Sequence, residues 1–313
     1  KSLGRQLSKR NKLFILFCSF SAVAAVIVLL NHHAARLTDS LDSHMANHSA
    51  EKVIINLAVA ANFKPTLEAI LAAYTHVDSD DNTQFNLISG STGALYSQIK
   101  QGAPFDLFFA ADTERPITLI NEQRANDAAI WIYAVGQLAL VFPKSSPSSD
   151  TSPCPTTISH RTELLALIRE IIAINTQGEN RLSIANPTTA PYGAAAQQLL
   201  DSLPANHPIK AWQIIKGKNI LHSQQLLLTK HVDLAILSSA MEHQTHMQSY
   251  HFCKLSRQLY PKIEQAMIKI KSTTHELSRQ HTITALLKFM EGTEAKKILS
   301  KHNYLSTQYN RAR

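Results

Sequence analysis

From Val53 onward, short apolar runs alternate with longer segments whose apolar residues recur at helical spacing. This is the rhythm of βα units around a mostly parallel sheet. VIINLAVA (53–60) predicts a buried strand, and 65–74 predicts a helix with Leu67, Ile70, Leu71 and Tyr74 on one face. The same pattern predicts strands over 85–89, 105–111, 181–185, 212–216, 232–237 and 263–270. Helices are predicted over 94–101, 162–173, 193–203 and 220–230, with two more closing the chain. WIYAVGQLALVFP (131–143) predicts one long strand, and the Ser/Pro-rich stretch 144–157 predicts a surface excursion. These connections fit two α/β lobes better than a single sheet.

The start of the chain follows a different pattern. A basic stretch (Lys1 to Lys12) precedes LFILFCSFSAVAAVIVLL (13–30), eighteen residues without a charge. This is the layout of a secretory signal peptide, and its length also reaches that of a membrane span, so an uncleaved signal anchor is the alternative. Either reading places the following body outside the cytoplasm, with positive charge left inside. Residues 31–51 are polar and aperiodic and predict a linker.

With 44% apolar and 17% charged residues the composition is that of a globular protein. The net charge is +8, but residues 1–50 supply six basic side chains against Asp39 and Asp42, which leaves +4 spread over the rest. That excludes a nucleic-acid surface. Cys154 and Cys253 stand far apart without CxxC spacing; a disulfide and two free thiols are both compatible with the sequence. His243, His246 and His251 lack a completing acidic or cysteine partner and read as a solvated helix and loop. Asp106 and Asp112 stand at the two ends of the strand in FDLFFAAD (105–112) and read as structural caps, and Trp131 and Trp212 read as core. The sequence contains no nucleophile elbow, Walker or dinucleotide fingerprint.

Four places share one local grammar, in which a buried strand ends, a small or capping residue follows, and a helix starts. They are Ala60-Ala61-Asn62, Gly90-Ser91-Thr92-Gly93, Ala190-Pro191-Tyr192-Gly193 and Gly217-Lys218-Asn219-Ile220. Each presents unpaired first-turn N–H groups at the carboxyl end of a strand, where open α/β sheets bind ligands and helix dipoles favour anions. Asn62, Ser91, Thr92 and Tyr192 are neutral donors, and the motifs contain no Asp or Glu to accept a proton. Each motif alone also reads as plain helix capping; the four together indicate an anion-binding cleft, and the missing carboxylates favour a fully deprotonated oxyanion.

The stretches AVAANFKPTLEAI (58–70), SGSTGALYSQIKQGAPFDLFFAAD (89–112), IANPTTAPYGAAAQQLL (184–200), GKNILHSQQLLLTKHVDLAIL (217–237) and LYPKIEQAMIKI (259–270) resemble the molybdate-binding periplasmic proteins of ABC transporters. The resemblance implies a type II periplasmic-binding fold, two α/β lobes joined by two crossing strands. It implies a first lobe from 52–135 and 259–313 and a second lobe from 136–258, after a 1–30 signal segment and a 31–51 linker. It places oxyanion ligands at Asn62, at Thr92 with Ser91 beside it, at Tyr192, and at the backbone N–H of Ile220. Other members carry a Tyr where Ser238 stands; this chain resembles the branch using the APYG tyrosine, so Ser238 is not assigned.

The resemblance further implies a periplasmic monomer that binds molybdate or tungstate and partners a membrane permease and its ATPase. Such a protein would use no cofactor, no catalytic residue, and no metal beyond the molybdenum of the ligand. A membrane-anchored oxyanion sensor and a periplasmic enzyme on the same fold are the alternatives. The enzyme would need an acid or base that the motif residues do not offer.

Overall fold

Strands form where runs of Val, Ile, Leu and Phe are broken by small or capping residues, and helices follow at once. In a computed structural model, residues 52–77, 82–125, 130–144, 153–174, 178–271, 277–305 and 311–312 are described. The signal segment 1–30, the linker 31–51 and residues 145–152 of the Ser/Pro-rich excursion lie outside them.

In chain order the first elements are β1 (Val53–Ala60), α1 (Lys64–Val77), β2 (Thr83–Gly90), α2 (Thr92–Lys100), β3 (Leu107–Phe109), α3 (Glu114–Asn121) and β4 (Ile130–Gly136). The chain then builds β5 (Leu138–Pro143), α4 (Arg161–Ile174), β6 (Arg181–Ala185), α5 (Pro191–Asp201), β7 (Gln213–Gly217), α6 (Ile220–Leu228), β8 (Leu234–Ser238) and β9 (Tyr250–Lys254). It returns through β10 (Ile263–Lys269), α7 (Leu277–Glu291), α8 (Thr293–Lys301) and β11 (Arg311–Ala312).

Two sheets result. The first has the order β11-β4-β10-β3-β1-β2 and the second the order β7-β6-β8-β5-β9. The predicted parallel character holds for a trio in each sheet, β2-β1-β3 and β7-β6-β8. The crossing strands are antiparallel to their neighbours, so both sheets are mixed. A strand arriving from the other lobe need not follow a helical crossover and can run in the opposite direction.

The apolar run 131–143 is two strands rather than one. It divides at Gln137, so that β4 belongs to the first sheet and β5 to the second. Buried Gln137 donates its Nε2 to Leu255 O at 3.0 Å, and Leu138 N donates to the Tyr260 hydroxyl at 2.9 Å. Partners from the returning segment thus satisfy polar groups that leave one ladder and enter another. Hydrophobic periodicity does not register such a change of sheet.

The first sheet is covered on both faces, which is why β1 reads as nearly continuous apolar sequence. Leu67, Ile70, Leu286 and Leu299 pack with Ile55, Leu57 and Val59 on one side. Leu95, Ile99 and Leu119 pack with Ala58 and Phe108 on the other. The second lobe builds its own core around Leu140, Ile184, Leu199, Leu227 and Ile236.

Two elements escape the pattern. Helix α3 buries only Pro116 and Leu119 and spans eight residues, shorter than the window over which a helical period is read. Strand β9 turns His251 and Cys253 inward, so a polar residue stands in its apolar phase. The segment predicted as a solvated helix and loop is therefore two short 3₁₀ turns, Ser239–His243 and Thr245–Met247, leading into that strand. Met241, Met247 and His251 are buried, and His251 packs on Phe142 with ring centroids 5.1 Å apart.

Cys154 and Cys253 form a disulfide with Cα atoms 5.0 Å apart, across a sequence separation of 99. The bond ties the end of the Ser/Pro-rich excursion to β9, and just beyond it Ile158 N donates to Lys254 O at 2.8 Å. Closing a loop of that length restricts the unfolded chain, so Cys253→Ser should cost about 2–5 kcal/mol. Thermal unfolding of oxidised and reduced protein tests this, and equal midpoints would show that the crosslink contributes nothing.

Candidate functional site

Strand register brings the helix starts together. Parallel pairing of β1 with β2 sets Ala60 level with Gly90, so α1 and α2 begin side by side. Pairing of β6 with β7 sets Ala185 level with Gly217, which does the same for α5 and α6. The two pairs face one another across a cleft of about 210 Å³, counting the part open to solvent. Asn62, Ser91, Thr92, Tyr192 and Ile220 all line it, together with Ala60, Ala61, Gly90, Ala111, Ala190, Pro191 and Asn219. No charged side chain is among these residues.

Each helix start is held in its own way. Ser91 caps α2, its Oγ accepting from Ala94 N at 3.3 Å. Thr92 is buried, and its Oγ1 accepts from Ala111 N at 3.1 Å, pinning α2 to the chain just beyond β3. Asn219 caps α6 by accepting from His222 N at 2.9 Å, leaving Ile220 as the first residue of the helix, whose N–H has no intrahelical acceptor. Helix α5 has no side-chain cap, and Pro191 lacks an N–H, so Tyr192 and Gly193 supply its first donors. The arrangement offers an anion neutral N–H and O–H donors and the positive ends of helix dipoles.

Asn62 departs from the expected cap. Its Nδ2 donates to Gln265 Oε1 at 2.7 Å and to the Tyr304 hydroxyl at 3.0 Å, while that hydroxyl donates to Asn62 O at 3.0 Å. Both amide protons are thereby used, and the side chain faces a buried polar cluster behind the cleft. Gln265, fully buried on β10, is the centre of that cluster. Its Oε1 lies 3.2 Å from the Tyr133 hydroxyl, and its Nε2 donates to the Tyr192 hydroxyl at 3.4 Å. A Cβ at Gly136 would overlap that Tyr192 hydroxyl, so the glycine ending β4 makes room for the tyrosine.

Gln265, Tyr133 and Tyr304 were not singled out from the sequence. The available signal was a glutamine in the middle of the apolar strand IEQAMIKI. Ser238, left unassigned, is buried at the end of β8, and its Oγ accepts from Ala240 N at 3.4 Å. Asp106 accepts from Asn56 N at 2.7 Å and pairs with Arg279 at 3.0 Å, whereas Asp112 pairs with Arg115. The two carboxylates therefore serve separate structural partners. Trp212 is buried, and Trp131 is partly buried against the first core. Among the described residues no group of three His, Cys, Asp or Glu could hold a metal ion.

Comparison with known proteins agrees with this architecture. Residues 55–305 match the model of a family described as bacterial extracellular solute-binding protein. The molybdate-binding protein ModA of Azotobacter vinelandii is 27% identical over 272 residues, covering 86% of this chain and 97% of that protein. Its counterpart in Rhodobacter capsulatus is 27% identical over 249 residues, covering 80% and 87%. The solved structure of the Azotobacter vinelandii periplasmic molybdate-binding protein superposes with a TM-score of 0.62 at 25% identity, covering 81% of this chain and all of that one. The two-lobed fold is that of the periplasmic binding proteins.

Burial pushes the Tyr133 and Tyr192 phenols well above their ordinary value and raises Tyr304 as well. Tyr260, which supports the crossing at Leu138, is pushed up to about 12, again chiefly by burial. These phenols ionise near 10 in the unfolded chain, so their contribution is fully present below that pH and is lost as pH rises through the folded values. The urea midpoint should hold steady from pH 8 to about 10 and fall above it; a flat profile to about pH 11.5 would contradict this.

Proposed function

The chain belongs to the bacterial extracellular solute-binding protein family, and we propose that it captures molybdate, or tungstate of nearly equal size, between its two lobes for delivery to an ABC importer. One observation carries the reading: helix starts from both sheets, with their neutral donors, line a single cleft that contains no charged side chain. A tetrahedral dianion presents acceptors in every direction and offers no proton. It is matched by donors alone, whereas a protonated anion would need a carboxylate partner. Sulfate is smaller and would leave some of these donors unsatisfied.

In this reading Ser91, Thr92, Tyr192 and the N–H of Ile220 face the ligand, and Asn62 serves it through its backbone, its side chain being committed to Gln265. The first lobe comprises 52–135 and 259–313 and the second 136–258, with the crossings at Gln137 and Leu255–Tyr260 acting as hinges. No acid or base lines the cleft, which supports a receptor rather than an enzyme. The protein acts outside the cytoplasm as a monomer, without a cofactor, and docks on a permease with its ATPase. Among the described residues no helix is long and apolar enough to cross a membrane.

Molybdate or tungstate at about a thousand times its dissociation constant should add ~4 kcal/mol to unfolding, with sulfate and phosphate giving far less. A thermal-shift panel on the purified protein tests this, and no shift with either metal oxyanion would overturn the assignment. Tyr192→Phe removes one buried donor and should weaken molybdate binding by about 1–3 kcal/mol. Titration calorimetry measures the loss, and unchanged affinity would take Tyr192 out of the site.

A further inference from the structure

Beside the cleft, two hydrogen bonds run directly from one lobe to the other. Gly93 N, in the first turn of α2, donates to Thr189 O at 2.8 Å. Arg115 Nη2, in the first turn of α3, donates to Thr188 O at 3.0 Å. Both donors belong to the lobe of the first sheet. Both acceptors lie in the turn between β6 and α5 of the other lobe.

Each side of this contact is held in position. Asn186 Oδ1 accepts from Thr188 N at 3.1 Å, and Asn186 O accepts from Ala190 N at 2.9 Å, which fixes the turn presenting the two carbonyls. Asp112 aims the guanidinium, pairing its Oδ2 with Arg115 Nη1 and accepting from Arg115 N with Oδ1 at 3.3 Å. At Gly93 a Cβ would fall 3.1 Å from Thr189 Cα, so the close backbone approach depends on the absent side chain. Arg115 keeps about a quarter of its side chain exposed and does not line the cleft.

We propose that Arg115, aimed by Asp112, is a positioning residue that latches the lobes closed over the bound oxyanion and sets its rate of release. The inference rests on the oxyanion reading of the cleft. A charge-assisted bond spanning the cleft side is broken when the lobes part there, and it adds to the Asn303 bonds with Ser239, Glu242 and Lys254 that also join the lobes. It therefore favours the same state that a ligand bridging both lobes favours, and the two stabilise closure together. Because the guanidinium is neutralised by Asp112 and stands off the cleft lining, its removal acts on opening rather than on encounter.

The test is stopped-flow kinetics with molybdate on wild type, Arg115→Met and Asp112→Asn. Arg115→Met should release molybdate about tenfold faster, the effect of losing one partly exposed charge-assisted bond, with association within about twofold of wild type. Asp112→Asn should give a smaller change in the same direction, and Arg115→Lys an intermediate one. An unchanged release rate, or an association rate that falls as far as the affinity, would overturn the latch. Small-angle scattering of the ligand-free proteins gives a second readout: Arg115→Met should be more expanded than wild type, and equal dimensions would refute the proposal. If wild type fails to bind molybdate in calorimetry, the ligand assignment fails, while the scattering comparison still decides the latch.

Discussion

A single buried amide ties the molecule together. Gln265 sits on the strand returning to the first sheet with no exposure to solvent, and a polar group so placed must find partners or cost about 1–3 kcal/mol for each one missing. It finds them in three separate parts of the chain: Asn62 after β1, Tyr133 on β4 and Tyr192 at the start of α5. Tyr192 belongs to the second lobe and the others to the first. The geometry satisfying the amide thus also fixes how the lobes meet, with Gly136 leaving space where the tyrosine reaches the crossing. Tyr304 closes the cluster through Asn62, so the end of the chain is tied to the same point.

In front of this cluster lies a cleft with the opposite character. The cluster spends both Asn62 amide protons internally. The Tyr192 hydroxyl only accepts from Gln265 there, and the helix starts hold their first-turn N–H groups at the cleft. Parallel register does most of the work, since levelling Ala60 with Gly90 and Ala185 with Gly217 aligns helix N-termini in pairs without further contacts. Charge is kept off the lining. The nearby Asp112–Arg115 pair is self-compensated and turned toward the opposite lobe. A site of this kind discriminates by size and by the absence of a proton acceptor, and its donors do not titrate near neutrality.

Much of this was legible in advance because it is local. The alternation of apolar runs and helical stripes depends on nearest neighbours in sequence, and strands and helices fell close to their predicted places. The strand–cap–helix grammar around Ser91, Tyr192 and Ile220 is equally local, so these residues could be nominated before any geometry was known. The misreadings have a common cause. Helix α3 is only two turns long, β9 places a histidine in its apolar phase, and the run 131–143 looks uniform although its halves serve different sheets. In each case the deciding partner lies far away in sequence.

The sequence by itself determined the α/β class, the positions of the helix starts and the neutral chemistry of the donors, since propensity and capping act within a few residues. Only the tertiary structure decided that β4 and β5 part at Gln137, that Cys154 pairs with Cys253, and that the Asn62 amide turns to Gln265 instead of capping a helix. Those outcomes depend on which distant groups arrive to satisfy a buried polar atom. Arg115 belongs with them: nothing in its neighbourhood along the chain indicates that its hydrogen bond lies on the other lobe.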